Sequence, residues 1–335
     1  MNKFIYIFPV IILFFDALFS QGSRNILFDE NIWRSEEWTP LHNPFDNSDM
    51  LMSRYGGSEI RFAIRESKKL VIRATSSNHA FDQGIAVYVD GKHFEIETPD
   101  IDEKILDIDL STFSAGDKRE VIIRHHCAGS THPCDTTLKE ITVDSGAIIT
   151  KPVTYPDRTI AFFGDSISVG FSEENYTYKV AERMKMLLHN ASIFGSRVGH
   201  NEIWDSASDR MHKDIIGFQP DVVVIALGTN DLSDNTSLDD FRLSYTKLIT
   251  AIRDGTPKSR VITLGLFRRR QIQPSRIRQY SEIVKSIAEN NNVQFIDPYD
   301  WLNDPDLMDN VHPSKKSQKI LADRMYETIS DIIQK

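Results

Sequence analysis

Cysteine is almost missing from this chain. Only Cys127 and Cys134 occur in 335 residues, too few for a disulfide-knitted small scaffold or a thiolate-rich metal protein. There is no excess of positive charge either: 39 Lys and Arg stand against 48 Asp and Glu, a net charge of −9. Such a surface repels nucleic-acid phosphates on average, so no nucleic-acid partner is expected. Internal repeats and low-complexity tracts are absent, and the 16 Gly and 13 Pro are dispersed, which excludes fibres and solenoids. Long hydrophobic runs are missing beyond the first twenty residues. What remains is 40% hydrophobic and 26% charged over 335 residues, enough apolar material for two domains of ordinary size.

The N-terminal exception has a clear layout: Lys3, an apolar run over residues 4–15, and small or polar residues around Ser20. Asp16 stops the run short of the roughly 20 residues a membrane span needs, so residues 1–20 read as a secretory signal peptide, with an uncleaved anchor as the alternative. The mature protein is then expected to be secreted or periplasmic and to have no membrane association after cleavage. In that compartment Cys127 and Cys134 can close a short disulfide loop. A metal site with His125, His126 and His132 and a pair of free thiols are the other readings, although the spacing fits no standard zinc pattern. Sequons stand at Asn175, Asn190 and Asn235.

Residues 24–149 read as short strands separated by turns, with Asp90-Gly91 between two alternating segments marking a tight hairpin. This predicts a jelly-roll-like β-sandwich domain. Residues 150–157, with two prolines, read as a linker. From 158 to 335 short apolar strands alternate with helical periods, predicting a three-layer α/β/α domain around a five-stranded parallel sheet. One helix is expected over about 174–188, others over about 238–254, around 277–287 and at the C-terminus. A strand is expected at 191–195.

In such sheets ligands gather at the carboxyl ends of strands. The first strand ends in Gly164-Asp165-Ser166, placing a hydroxyl at a strand-to-helix turn. The second candidate strand ends at Gly195, with Gly199 a few residues on. The third ends in Gly228-Thr229-Asn230-Asp231, which puts an amide at the same edge. Before the last helix stands Asp309-Asn310-Val311-His312. A serine hydroxyl becomes a nucleophile only when a base removes its proton, and that base needs an acceptor on its other nitrogen. Each loop alone has an ordinary structural explanation, as a cap or a turn; their joint occurrence in one domain points to a serine hydrolase.

These four blocks resemble those of the SGNH (GDSL-type) hydrolases, in the same order. The resemblance implies Ser166 as nucleophile, His312 as base, Asp309 as its orienter, and an oxyanion hole from the Ser166 and Gly195 backbone N–H groups and the Asn230 side chain. Gly199 is the rival to Gly195. The whole layout is similar to that of the two-domain carbohydrate esterases of family 2, which remove acetyl groups from polysaccharides such as xylan and mannan. It implies a monomeric acetylesterase with an acetylated polysaccharide or oligosaccharide as substrate and no cofactor or metal. A lipid esterase or thioesterase of the same superfamily, or a non-catalytic carbohydrate-binding protein, are the alternative readings. Arg268, Arg269 and Arg270 follow the fourth strand and are candidate substrate contacts for acidic or sulfated sugars, unless they are simply a solvated face. Trp33, Trp38, Phe45 and Phe81 are either sugar platforms or core.

Overall fold

The computed structural model describes residues 22–44, 46–76, 84–97, 103–113, 118–126, 135–169, 174–199, 206–303 and 306–334. The expected signal peptide lies outside them, as do both cysteines, His132, Phe45 and Phe81.

The N-terminal region is built from β1 (Ser23–Asn25), β2 (Trp33–Arg34), β3 (Thr39–Asn43), β4 (Ser48–Ser53), β5 (Glu59–Arg65), β6 (Lys69–Ser76), β7 (Gly84–Val89), β8 (Lys92–Glu97), β9 (Lys104–Asp109), β10 (Arg119–His126), β11 (Thr136–Asp144) and β12 (Ile148–Thr150). One sheet has the order β3-β4-β11-β6-β9 with β1 beside β11; the other has β12-β5-β10-β7-β8 with β2 beside β5. The strands β5 and β10 carry buried apolar residues at alternate positions, and β11 does so on from a register shift between Leu138 and Glu140, so each sheet turns one face inward. Leu51, Ile72 and Ile141 of the first sheet meet Phe62, Val87 and Ile123 of the second in a single core. The short strand β3 is polar, contains Pro40 and lies at a sheet edge, where a missing N–H costs no ladder bond. The hairpin at Asp90 and Gly91 forms as expected, with φ of 49° and 80° at the two residues and Val89 paired to Lys92.

The C-terminal domain follows with β13 (Thr159–Gly164), α1 (Ser166–Val169), α2 (Tyr176–Met184), β14 (Leu187–Asn190), α3 (Ala207–Met211), β15 (Val222–Ala226), α4 (Thr229–Ser233), α5 (Leu238–Gly255), β16 (Arg260–Leu264), α6 (Pro274–Asn290), β17 (Gln294–Ile296) and α7 (Lys315–Gln334). The five strands are parallel, in the order β14-β13-β15-β16-β17. Helices α5 and α6 cover one face through Phe241, Tyr245, Ile277 and Tyr280. On the other, α2 and α7 pack Tyr176, Val180, Leu321 and Met325. Both faces being covered explains why β13 and β15 are apolar throughout rather than alternating.

One stretch departs from the sequence reading. The helix expected over 174–188 stops at Met184, because Lys185 turns left-handed with φ 54°. Leu187, expected on a helical stripe, belongs to β14, which pairs Leu187 with Thr159 and Asn190 with Phe162. The strand therefore precedes 191–195, and Gly195 sits in the loop beyond it. Apolar Met184, Leu187 and Leu188 fit a helical period, and no glycine marks the stop.

Strand order reverses direction between β13 and β15. That is where a crevice opens in such sheets, and Ser166 and Asn230 follow these two strands.

Candidate active site

The turn after β13 is made possible by Gly164. A Cβ there would collide with the Ser168 side chain and come within 3.0 Å of the Ala226 carbonyl. Ser166 is then the first residue of α1, a helix of only four residues, far too short to persist unaided. Side chains hold its end instead: Asn175 Nδ2 donates to the Ile167 carbonyl at 3.1 Å and Asn190 Nδ2 to the Ser168 carbonyl at 3.1 Å. Both asparagines head sequons, but they are buried, so in the folded protein only Asn235 of the three is exposed to a glycosylating enzyme.

His312 reaches Ser166 from the loop before α7. Its Nε2 lies 2.9 Å from Ser166 Oγ and its Nδ1 2.7 Å from Asp309 Oδ2. A carboxylate only accepts, so Nδ1 carries the hydrogen and donates to Asp309, leaving Nε2 to accept from the serine hydroxyl. The other oxygen, Asp309 Oδ1, accepts the backbone N–H groups of Val311 at 2.6 Å and His312 at 2.7 Å. Burial alone would raise the Asp309 pKa; these three hydrogen bonds outweigh it and bring the carboxyl down to about 2. The loop is closed by a bridge between Leu307 and Pro313 and by Met308 N donating to the His312 carbonyl at 2.8 Å.

Asn230 stands in α4, and its Nδ2 donates to the Ser196 carbonyl at 3.0 Å. This ties the amide to the loop that contains Gly195, whose φ is +70°. Gly199 packs against α5: a Cβ on it would lie 2.8 Å from Ser244 Oγ.

The arginine tract is engaged in the protein. Arg268 lies over the Tyr299 ring at 4.9 Å and reaches Asp300 at 3.3 Å. Arg269 Nη1 donates to the Thr229 carbonyl at 3.0 Å and to Ser233 Oγ at 2.6 Å. Arg270 anchors the His312 loop, its backbone N–H donating to the Asn310 carbonyl at 2.9 Å and Nη2 to the Leu307 carbonyl at 2.8 Å. Of the four aromatic candidates, Trp38 is core and Trp33 stacks on Tyr155 at 5.4 Å.

Two carboxylates of the site escaped the sequence reading although they sit inside its motifs. Asp165 is buried beside Ser166 and accepts the Ile167 N–H at 3.0 Å; burial pushes its pKa up to about 6 against that bond and the His312 charge. Asp231 accepts the Val198 N–H at 3.1 Å and so fixes the far end of the Gly195 loop. Burial raises it to about 6 as well. Among the described residues no group of three or more His, Cys, Asp and Glu is arranged to hold a metal ion, and no helix is long and apolar enough to cross a membrane.

Residues 162–320 match the GDSL-like lipase/acylhydrolase family. No curated protein matches the chain by sequence. Solved structures do match by fold. An active-site mutant of a family two carbohydrate esterase from Clostridium thermocellum is 15% identical with a TM-score of 0.73, covering 90% of this chain and 98% of its own. An acetyl xylan esterase from the rumen bacterium Butyrivibrio proteoclasticus is 15% identical with a TM-score of 0.69, over 93% and 99%. A salicylyl-acyltransferase from a tetracycline biosynthetic pathway is 15% identical with a TM-score of 0.67, over 92% and 97%. The family resemblance read from the four motifs and the two-part fold class therefore hold.

Proposed function

We propose that this protein is a secreted serine esterase that removes acetyl groups from polysaccharide. The observation that carries the reading is the unbroken line from Ser166 Oγ through His312 to Asp309, with links of 2.9 and 2.7 Å. His312 takes the Ser166 proton as Oγ attacks the acetyl carbonyl. The developing oxyanion is met by the Ser166 and Gly195 backbone N–H groups and by the second hydrogen of the Asn230 amide. Collapse breaks the ester bond, the departing sugar hydroxyl takes the proton from His312 Nε2, and the acetyl group stays on Ser166. Water, deprotonated by the same imidazole, then releases acetate. No step calls for a metal or an organic cofactor.

A small acyl group on a large alcohol suits the setting. The Asp309 side chain is 52% exposed and that of His312 21%, so the catalytic line lies at the surface, where a polymer can be laid across it. Acyl transfer to water rather than to another alcohol is part of the proposal, because the same fold occurs in an acyltransferase. The purified mature protein and Ser166→Ala are to be compared on 4-nitrophenyl acetate, 4-nitrophenyl octanoate, acetylated xylan and acetylated glucomannan. Acetate release from a polysaccharide, lost in Ser166→Ala, is expected. Turnover of octanoate alone would move the protein to the lipid esterases, and inertness toward every ester would favour a binding protein.

A further inference from the structure

A buried polar chain runs from the sandwich to the loop that holds Gly195. It starts at Glu37, between β2 and β3, whose Oε1 lies 3.2 Å from His189 Nδ1 of β14. His189 Nε2 donates to the Asp214 backbone carbonyl at 2.7 Å. Tyr55, after β4, donates its hydroxyl to Asp214 Oδ1 at 2.9 Å, and Asp214 Oδ2 accepts Arg210 Nη1 at 2.9 Å. The Glu37 and His189 side chains are each 1% exposed, those of Arg210 and Asp214 each 7%. Buried charges at such cost in desolvation call for a reason.

Arg210 supplies it. Its guanidinium lies over the Phe163 ring of β13 at 4.3 Å. Nη1 also donates to the Ala191 carbonyl, Nη2 to Ser196 Oγ at 3.2 Å and, at 3.4 Å, to the Gly164 carbonyl. One planar fork thus joins the residue two before the nucleophile to both ends of the 191–196 segment, whose Ser196 carbonyl in turn holds Asn230. The sandwich approaches the same strand through its backbone, Asn190 N donating to the Gly56 carbonyl at 2.9 Å.

We propose that Tyr55 and Glu37 of the sandwich, acting through His189, Asp214 and Arg210, are positioning residues that hold the Gly195 loop in register with Ser166. The sandwich is then part of the catalytic apparatus without touching substrate. This rests on the serine-esterase reading, since only there does the register of Gly195 set a rate. Small displacements of oxyanion donors are costly because their benefit depends on preorganisation.

The test uses the full-length mature protein, with Tyr55→Phe, which deletes one hydroxyl, and Arg210→Lys, which keeps the charge beside Asp214 but loses the planar fork. On 4-nitrophenyl acetate kcat is expected to fall about fivefold or more in Tyr55→Phe and about 30-fold or more in Arg210→Lys, with KM within about twofold. Amide hydrogen exchange over residues 191–199 is expected to accelerate in both. A lower melting temperature with kcat and loop exchange unchanged would overturn the inference and leave an esterase with a merely structural sandwich. If the wild type hydrolyses no ester, the enzymatic reading and the catalytic role proposed for these residues fall together. Unchanged loop exchange in Tyr55→Phe would also remove the physical coupling.

Discussion

Asp309→Asn exposes the logic of the site, because the two oxygens of Asp309 have different duties. Oδ1 accepts two backbone N–H groups, of Val311 and His312, while Oδ2 accepts His312 Nδ1. Asparagine has one oxygen, and it is drawn to the two backbone donors. Its NH2 then faces Nδ1 and selects the tautomer with the hydrogen on Nε2, which cannot accept the Ser166 proton. Flipping the amide to rescue the productive tautomer would set donor against donor at both backbone groups, a cost of about 2–4 kcal/mol for two lost bonds. Losing the carboxylate charge beside the imidazolium adds about 2 kcal/mol, taking a separation near 4 Å and an effective dielectric of about 40 for so exposed a group. Together they predict a fall in kcat of about 10³ to 10⁴. The loop itself keeps its Oδ1 contacts, so the melting temperature is expected to stay within about 3 °C of wild type, whereas Asp309→Ala loses all three. Steady-state kinetics on 4-nitrophenyl acetate, normalised to correctly folded protein by circular dichroism, decide it. A kcat within tenfold of wild type would refute the assignment of Asp309 as the residue that orients His312.

Two further outcomes follow from neighbouring groups. Asn230→Ala removes a side-chain donor and the tie to the Ser196 carbonyl, and is expected to lower kcat on 4-nitrophenyl acetate by about 100- to 1000-fold with little change in KM; an undiminished kcat would take Asn230 out of the oxyanion hole. Asp165 has a folded pKa of about 6, above its unfolded value near 3.9, so its ionisation destabilises the fold as pH rises from about 4 through 6. Asp165→Asn, which retains an acceptor for the Ile167 N–H, should stabilise the protein by on the order of 2 kcal/mol at pH 8 and hardly at all at pH 4. Urea denaturation at the two pH values measures the difference, and a destabilised Asn variant at pH 8 would contradict the origin given for the shift.

Ser166 and Asn230 were legible as candidates because they sit at strand ends, where apolar runs meet Gly-Asp-Ser and Gly-Thr-Asn-Asp, and Asp309 and His312 because an acid and an imidazole stand three residues apart before the last helical period. The hairpin at Asp90 was legible for the same local reason. Where the reading failed, at Lys185, a non-glycine residue adopts a left-handed angle that no spacing betrays. The tract at 268–270 shows a different limit: the run of arginines gives no sign of its acceptors at Thr229, Asp300 and Leu307, which come from distant parts of the chain. Arg210 lies in a polar stretch with no motif, and Glu37 and Tyr55 lie in another part of the fold from the residues they support. Tertiary convergence of this sort has no local signature.

The bridge between Gly56 and Asn190 also bears on the order in which the molecule can assemble. A ribosome releases the chain from its N-terminus, so residues 55–58 are available long before β14 emerges. When it does, it is an outer strand of the parallel sheet, and outer strands offer unpaired backbone groups to any neighbouring chain. Here Gly56 takes up the Asn190 end of that edge. The earlier half of the protein thus caps one end of that edge, and a C-terminal domain expressed alone is expected to aggregate more readily than the full chain, as light scattering of the two would show.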